Sequence, residues 1–458
     1  MKHIGIIAEY NPFHNGHAYQ LHQADILFPD RKKVVILSGN FVQRGEPAIF
    51  HKFLRTRWAL QAGADLILEL PPAFATASAE LFATAALFSL SATGIVDTLC
   101  FGAETDNLPI LTEIAALLVK EPEEYRRQLK LGLKQGYSFP KARALAVNSC
   151  SSIPEAAKIL STPNNILAIE YLKAINRFDL PITPCLIPRK GNAYHDNQLT
   201  FPYASATAIR NALRTEFERP SSASKVPAAE CTKQDTLRTG KIGQTHTFPH
   251  QTPILRKELT SVLPEAVLDS LRNDPAARPL ILSDFYPWLQ YALLCPGITD
   301  TAYQDMTLEI LNKLRQLPLL PSGMEELLAA LSEKQYTKTR LQRTMLSILL
   351  HIQSDDISHR RDNGWIQYLR ILGFSDSGAG ILKEMKQTCP LPVITKTAKA
   401  KNLLPEEALH FFEEDIRINT LYQQCFLNTY GFRLPSEYEQ SPIRISHPMY
   451  VSASCRIQ

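Results

Sequence analysis

The sequence predicts an α/β protein, with a Rossmann-like parallel sheet over residues 1–215 and an all-helical C-terminal domain over residues 256–458. Three observations carry this. Apolar, β-rich runs alternate with helix-period stretches through the first part, the pattern of a parallel sheet covered on both faces. From Pro220 to Pro253 the chain turns to Ser, Thr, Lys, Gly and Gln, so residues 216–255 read as a flexible linker or long loop. Beyond it the periodicity is almost wholly helical, for example at Gly323–Leu331, Thr339–Ile352 and Pro405–Asn428. At 458 residues more than one domain is expected, and no repeat of fixed period is visible.

The first strand, Ile4–Ala8, runs through Glu9-Tyr10-Asn11-Pro12-Phe13 into His14-Asn15-Gly16-His17, with a helix expected over Gly16–Ala24. A helix N-terminus placed after a strand aims backbone N–H groups at an anion. Gly16 lets the backbone come close where a Cβ would intrude. His14 and His17, three apart across the start of the helix, can donate hydrogen bonds to phosphate oxygens. The competing account is a pair of ordinary surface histidines. Their place directly behind the first strand favours the anion site.

The second strand, Val34–Ser38, leads into Gly39-Asn40-Phe41-Val42-Gln43-Arg44-Gly45-Glu46-Pro47, where Arg44 offers a planar fork to phosphate or carboxylate. A helix over Lys52–Ala62 carries Lys52 and Arg55 one turn apart, with Arg57 beside them: either a basic binding face or a solvated one. A strand at Leu66–Glu69 and a helix at Ser78–Ser91 follow. The strand Thr98–Phe101 ends in Gly102-Ala103-Glu104, where a base or ribose could lie against bare backbone, or where the strand merely turns. After a helix at Leu108–Lys120, Ser161-Thr162-Pro163-Asn164-Asn165 opens a helix over Asn165–Ile175. Thr162 or Ser161 suits its cap and Pro163 its first turn. The amides of Asn164 and Asn165 could read a base edge or ribose. The fifth strand, Ile182–Ile187, enters a basic loop, Pro188-Arg189-Lys190-Gly191 and onward to Asp196. In Ser205-Ala206-Thr207-Ala208-Ile209-Arg210, Ser205 can cap a last helix whose N-terminus and Arg210 face the same anion.

With 45% apolar and 21% charged residues the composition is that of a globular protein, and no apolar run approaches the ~20 residues of a membrane span. Glu9 interrupts the first apolar run, so no signal peptide is expected. Eight cysteines without a C-x-x-C pair point to reduced thiols in a cytoplasm, and away from a zinc site or disulfide framework. A net charge of +4 permits a local nucleic-acid patch without requiring one.

Together, H-x-G-H near the start and S-x-T-x-x-R near the end of an α/β domain resemble the HxGH nucleotidyltransferase superfamily. The extended runs Glu9 to His17, Gly39 to Gly45, Phe101 to Glu104 and Pro163 to Leu167 are similar to the bacterial tRNA(Met) cytidine acetate ligase family. So are Thr339 to Arg343 and Tyr368 to Phe374 in the helical half. The resemblance implies activation of acetate by ATP to acetyl-adenylate, then acetylation of N4 of the wobble cytidine of elongator methionine tRNA. It implies ATP contacts from Ile7, Ala8, Glu9, Tyr10, Asn11, Pro12, Phe13, His14, Asn15, Gly16, His17, Ala18, Tyr19 and Gln20, from Gly102, from Asn164 or Asn165, and from Arg189. Ala206 stands where many superfamily members carry a hydroxyl, which passes its phosphate contact to Ser205 and Thr207.

On this reading His14, His17 and Arg210 are the catalytic groups. Mg²⁺ is expected on the triphosphate, although no motif is a dedicated metal site. No cysteine stands in a motif, so no thioester intermediate is indicated. The expected tRNA surface combines Arg44, Lys52, Arg55 and Arg57 with Lys338, Arg340, Arg343, Arg360 and Arg361, and Arg370 nearby. The alternative for these residues is solubilisation of a helical bundle. Rival functions are a small-molecule adenylyltransferase of coenzyme-biosynthetic type and a non-catalytic RNA-binding protein on the same scaffold.

Overall fold

A computed structural model describes residues 2–151, 153, 156–189, 199, 202–217, 255–295 and 302–446. Most of the expected linker, and the basic loop from Lys190 to Asp196, lie outside the described residues. In chain order the elements that build the site are β1 (His3–Ala8), α1 (Asn15–Leu27), β2 (Lys33–Ser38), α2 (Lys52–Gln61), β3 (Leu66–Leu70), α3 (Ala79–Ala92) and β4 (Val96–Ala103). They continue with α4 (Leu108–Lys120), α5 (Glu123–Lys134), α6 (Phe139–Cys150), α7 (Pro163–Arg177), β5 (Thr183–Pro188) and α8 (Ala206–Glu216). The C-terminal region supplies α9 (Lys338–Leu350), β6 (Leu369–Ser375), α10 (Asp376–Thr388), β7 (Val393–Ile394), α11 (Glu406–Tyr430) and β8 (Ile443–Ile445).

The strand order is β8-β6-β3-β2-β1-β4-β5, with β7 also paired to β6. The five N-terminal strands are mutually parallel, Val35 lying opposite Ile6 and Cys185 opposite Cys100. Strand β2 shows why the sheet is covered twice. Val34 and Ile36 join one apolar cluster with Leu87 of α3, Ile114 of α4 and Ile169 of α7. Val35 and Leu37 join another, with Leu21 of α1, Trp58 of α2 and Ile209 of α8. Period-two alternation thus sends successive side chains to opposite helical layers.

Residues beyond 255 are mainly helical, and they also complete the sheet. Strand β6 runs antiparallel to β3, with Leu66 opposite Phe374. The run Leu369-Arg370-Ile371-Leu372-Gly373-Phe374 is short enough to suit helix or strand, and only its pairing with β3 decides. Helices α9 and α11 bury Met345 and Tyr422 in the cluster that holds Ile36, so the two regions share a core. The ring of Phe41 meets Phe285 and Tyr422 at 5.6 and 5.9 Å.

Candidate active site

The site forms at the C-terminal ends of β1, β2, β4 and β5, where an open parallel sheet leaves a crevice for ligands. His14 is the N-cap of α1, with Nδ1 accepting from Gly16 N at 3.1 Å. His17 Nδ1 accepts from His14 N at 3.3 Å. The two rings stack at 3.8 Å between centroids. A Cβ on Gly16 would stand 2.9 Å from His14 Cε1, so the glycine makes room for the ring of its own cap. Burial, reinforced by Arg189 and Arg210, depresses His14 to a pKa of about 3. Burial, His14 and Arg189 hold His17 well below the usual histidine range. Both imidazoles are therefore neutral near pH 7. With Nδ1 accepting, each carries its proton on Nε2, the nitrogen left for a ligand oxygen.

The second motif docks onto the first. Ser205 caps α8, accepting from Ala208 N at 3.0 Å. Arg210, buried, donates from Nη1 to the carbonyl of Asn11 at 2.9 Å and from Nη2 to Thr207 Oγ1 at 3.2 Å. Glu46 lies 4.0 Å from its Nε. Glu9 accepts from Gln43 N at 2.8 Å, and burial raises its pKa against the opposing pull of Arg44, Arg210 and Arg55. Arg44 is half-buried, and its neighbours include Glu9, Glu46 and Arg210.

Several expected ATP contacts have structural duties. Asn15 donates to the carbonyls of Pro202 and Ser261, tying α1 to later chain. Tyr10 is fully buried, edge-on to Phe13 and His17 at 4.9 and 4.8 Å. Gln20 donates to the carbonyl of Cys100 at 3.4 Å. Glu104 accepts from Asn164 N, Asn164 Nδ2 and Asn165 N, while Asn165 Oδ1 accepts from the backbone of Glu104 and Thr105. Glu104, rather than Thr162 or Ser161, thus caps α7, which accounts for both asparagines. Gly102 faces the stem of Arg189, its hypothetical Cβ 3.3 Å from Cγ.

The expected RNA surface needs correction. Lys52 is fully buried, with Nζ 2.8 Å from Glu69 Oε1 and 2.9 Å from Glu437 Oε2. Arg370 completes that cluster against Glu69 and Glu437. Arg55, also fully buried, donates to the carbonyls of Phe50, Glu9, Ser38 and Gly39, stapling the ends of β1 and β2. Arg360 is buried over Phe411 and paired with Asp415 at 3.2 Å. None of these four cations can meet a phosphate backbone. Spacing alone shows a charged helix face and hides the carboxylates that bury it. Lys338 and Arg361 remain exposed, Arg340 and Arg343 half-exposed. Lys338 pairs with Glu325 and Arg343 with Asp305, each at 2.6 Å. The loop holding Arg44 is fixed to α9: Gly45 has φ +75°, and a Cβ there would lie 2.4 Å from Arg343 N.

Among the described residues no three His, Cys, Asp or Glu side chains converge as a metal site, and no helix is long and apolar enough to cross a membrane. The six described cysteines are free.

Residues 1–434 match the HIGH Nucleotidyl Transferase family. A protein of Thermoanaerobacter sp. named tRNA(Met) cytidine acetate ligase is 36% identical over 93% of this chain and 96% of its own length. One of that name from Acetivibrio thermocellus is 34% identical over 97% and 100%. Crystal structures of Thermotoga maritima TmcAL superpose with TM-scores of 0.81 for the apo form, at 27% identity, and 0.79 for a form bound with alpha-thio ATP, at 28%. Each covers 98% of this chain and 100% of that one. Matched along nearly its whole length, and with both signature motifs brought to one sheet edge, the chain belongs to the tRNA(Met) cytidine acetate ligase family of HIGH nucleotidyl transferases.

Proposed function

We propose that the protein activates acetate with ATP to acetyl-adenylate and pyrophosphate, then transfers the acetyl group to N4 of the wobble cytidine of elongator tRNA(Met). The observation that carries this reading is the docking of Arg210 on the Asn11 carbonyl, which joins the second motif to the loop of His14 and His17. Attack of a carboxylate on the α-phosphorus needs positioning and charge stabilisation more than covalent help. The Nε2–H groups of His14 and His17 donate to phosphate oxygens. Arg210, Ser205 and Thr207 at the start of α8 hold the far end, and Arg189 reaches over Gly102. In this reading the segment Ile7 to Gln20 lines the nucleotide, directly or, like Asn15, through its supports, and Asn164 is the asparagine nearer ATP. Mg²⁺ enters with the triphosphate as its counter-ion. Arg44, Arg57, Lys338, Arg340, Arg343 and Arg361 are the expected cations not buried away from tRNA, and a cytoplasmic location belongs to the same reading.

The test is acetate-dependent exchange of labelled pyrophosphate into ATP, followed by acetyl transfer to elongator tRNA(Met). His17→Ala should lower exchange roughly 10²–10³-fold, the usual loss for one transition-state donor, while the circular dichroism spectrum is unchanged. A variant retaining more than about a tenth of the exchange rate would remove His17 from this role. Exchange that ignores acetate in the unaltered protein would overturn the function itself.

A further inference from the structure

Acyl transfer leaves one proton without a destination. Cytosine N4 attacks as an amine and must shed a proton on becoming an amide, and the phosphate of AMP gains its basicity only as the C–O bond breaks, so a base already in place assists the attack. His14 and His17 are unsuited to accept it, since each Nδ1 is engaged by backbone N–H and each Nε2 already bears a proton. Among the described residues, the carboxylate at the root of the histidine loop has an open oxygen. Glu9 directly follows β1, at the root of the loop that carries both histidines. Its Oε1 accepts from Gln43 N at 2.8 Å, and Oε2 has no hydrogen-bond partner among the described residues. Glu104 is committed to the N-terminus of α7, and Glu46 accepts from Gln342 on Oε1 with Oε2 4.0 Å from Arg210, on the loop after β2 rather than at the root of the histidine loop.

We propose that Glu9 is the catalytic base of the acetyl-transfer step, receiving the N4 proton on Oε2. The N4 lone pair forms the C–N bond to the acetyl carbonyl. The C–O bond to the adenylate phosphate breaks, AMP leaves with that electron pair, and the proton ends on Glu9. This assignment rests on the proposed function and gives one residue of the expected ATP loop a distinct role. The charged and titratable groups facing Glu9 are Arg44 on the loop after β2, Arg55 on α2, Arg210 on α8 and Tyr171 on α7. The three arginines stabilise the carboxylate, burial destabilises it, and burial prevails, so its pKa lies above the ordinary carboxylate value. A carboxylate whose pKa is raised is the stronger base, and the better proton acceptor while it stays ionised.

Glu9→Gln keeps an acceptor for Gln43 N–H and removes the base. The two half-reactions are measured separately: acetate-dependent pyrophosphate exchange, and single-turnover transfer from preformed acetyl-adenylate to tRNA across pH. Transfer should fall at least roughly 10²-fold and at least about tenfold further than exchange, and the wild-type rise of transfer with pH should disappear. Equal losses in both half-reactions would make Glu9 a nucleotide-binding residue and overturn the proposal, as would transfer that survives with its pH profile intact. Absence of exchange in the wild type would instead sink the underlying function, so the two failures are distinguishable.

Discussion

His14, His17 and His51 each keep a neutral imidazole because burial removes the water that would solvate the cation. His51 precedes α2, and its Nε2 is buried without a partner among the described residues. Its pKa is lowered to about 3, Arg55 and Arg57 adding to burial while Asp274 and Glu437 oppose it. The linkage has a definite sign. In the unfolded chain these histidines gain protons below about pH 6.5, while in the fold they stay neutral until far lower pH. Their contribution to stability is complete above pH 6.5 and is lost as pH falls toward the folded values. Each can steepen the loss by up to about 1.4 kcal/mol per pH unit. Urea unfolding between pH 5.5 and 4 should therefore become shallower in pH by about that slope in His51→Asn, which also suits a helix cap. Identical slopes would show that His51 is solvated in the fold.

At the scale of elements, α7 begins against a side chain from another strand end. Glu104 answers two of its free N–H groups, and the positive end of the helix favours that carboxylate. Glu104→Ala should cost about 1–2 kcal/mol in chemical unfolding, and speed amide exchange in the first turn of α7 before any other helix. Uniform exchange changes across the sheet would reject a local capping role. This helix also shows what a sequence makes legible. Strand–helix alternation, Pro163 in the first turn, and the Ser205 cap rest on neighbours within a few residues, so pattern reveals them. The cap from Glu104 arrives from some 60 residues away, and nothing in the spacing of Asn164 and Asn165 points to it. Strand β6 is hidden for the same reason, its partner β3 lying some 300 residues earlier. Lys52, Arg55, Arg360 and Arg370 are the clearest case: charge and helical spacing are local facts, while burial is set by distant carboxylates and carbonyls.

Across the whole molecule, the buried group of Lys52, Glu69, Arg370 and Glu437 fastens the N-terminal sheet to the C-terminal region. Two cations face two carboxylates, one of each sign from either side of the 216–255 segment. Asn419 of α11 adds a hydrogen bond to Glu69 and another to Asn40. A balanced cluster of this kind adds little over apolar packing, whereas losing one member strands an unpaired charge. Lys52→Met should thus destabilise by about 3–5 kcal/mol, and Glu437→Gln by a similar amount. Their combination should lose clearly less than the sum, with a coupling above about 1 kcal/mol, because the second substitution removes the charge that the first left unpaired. Additivity within about 0.5 kcal/mol would mean that the cluster is solvated. The same coupling predicts one unfolding transition for both regions. Trp58 lies in α2, and Trp288 and Trp365 in the C-terminal region, Trp365 stacked on Phe88 of α3 at 5.6 Å. Variants keeping one tryptophan each should report the same urea midpoint in the wild-type background. In Lys52→Met the midpoints of Trp58 and Trp288 should separate if the cluster is what joins the regions. Coincident midpoints in Lys52→Met would assign the joining to the shared apolar core around Phe41 and Tyr422.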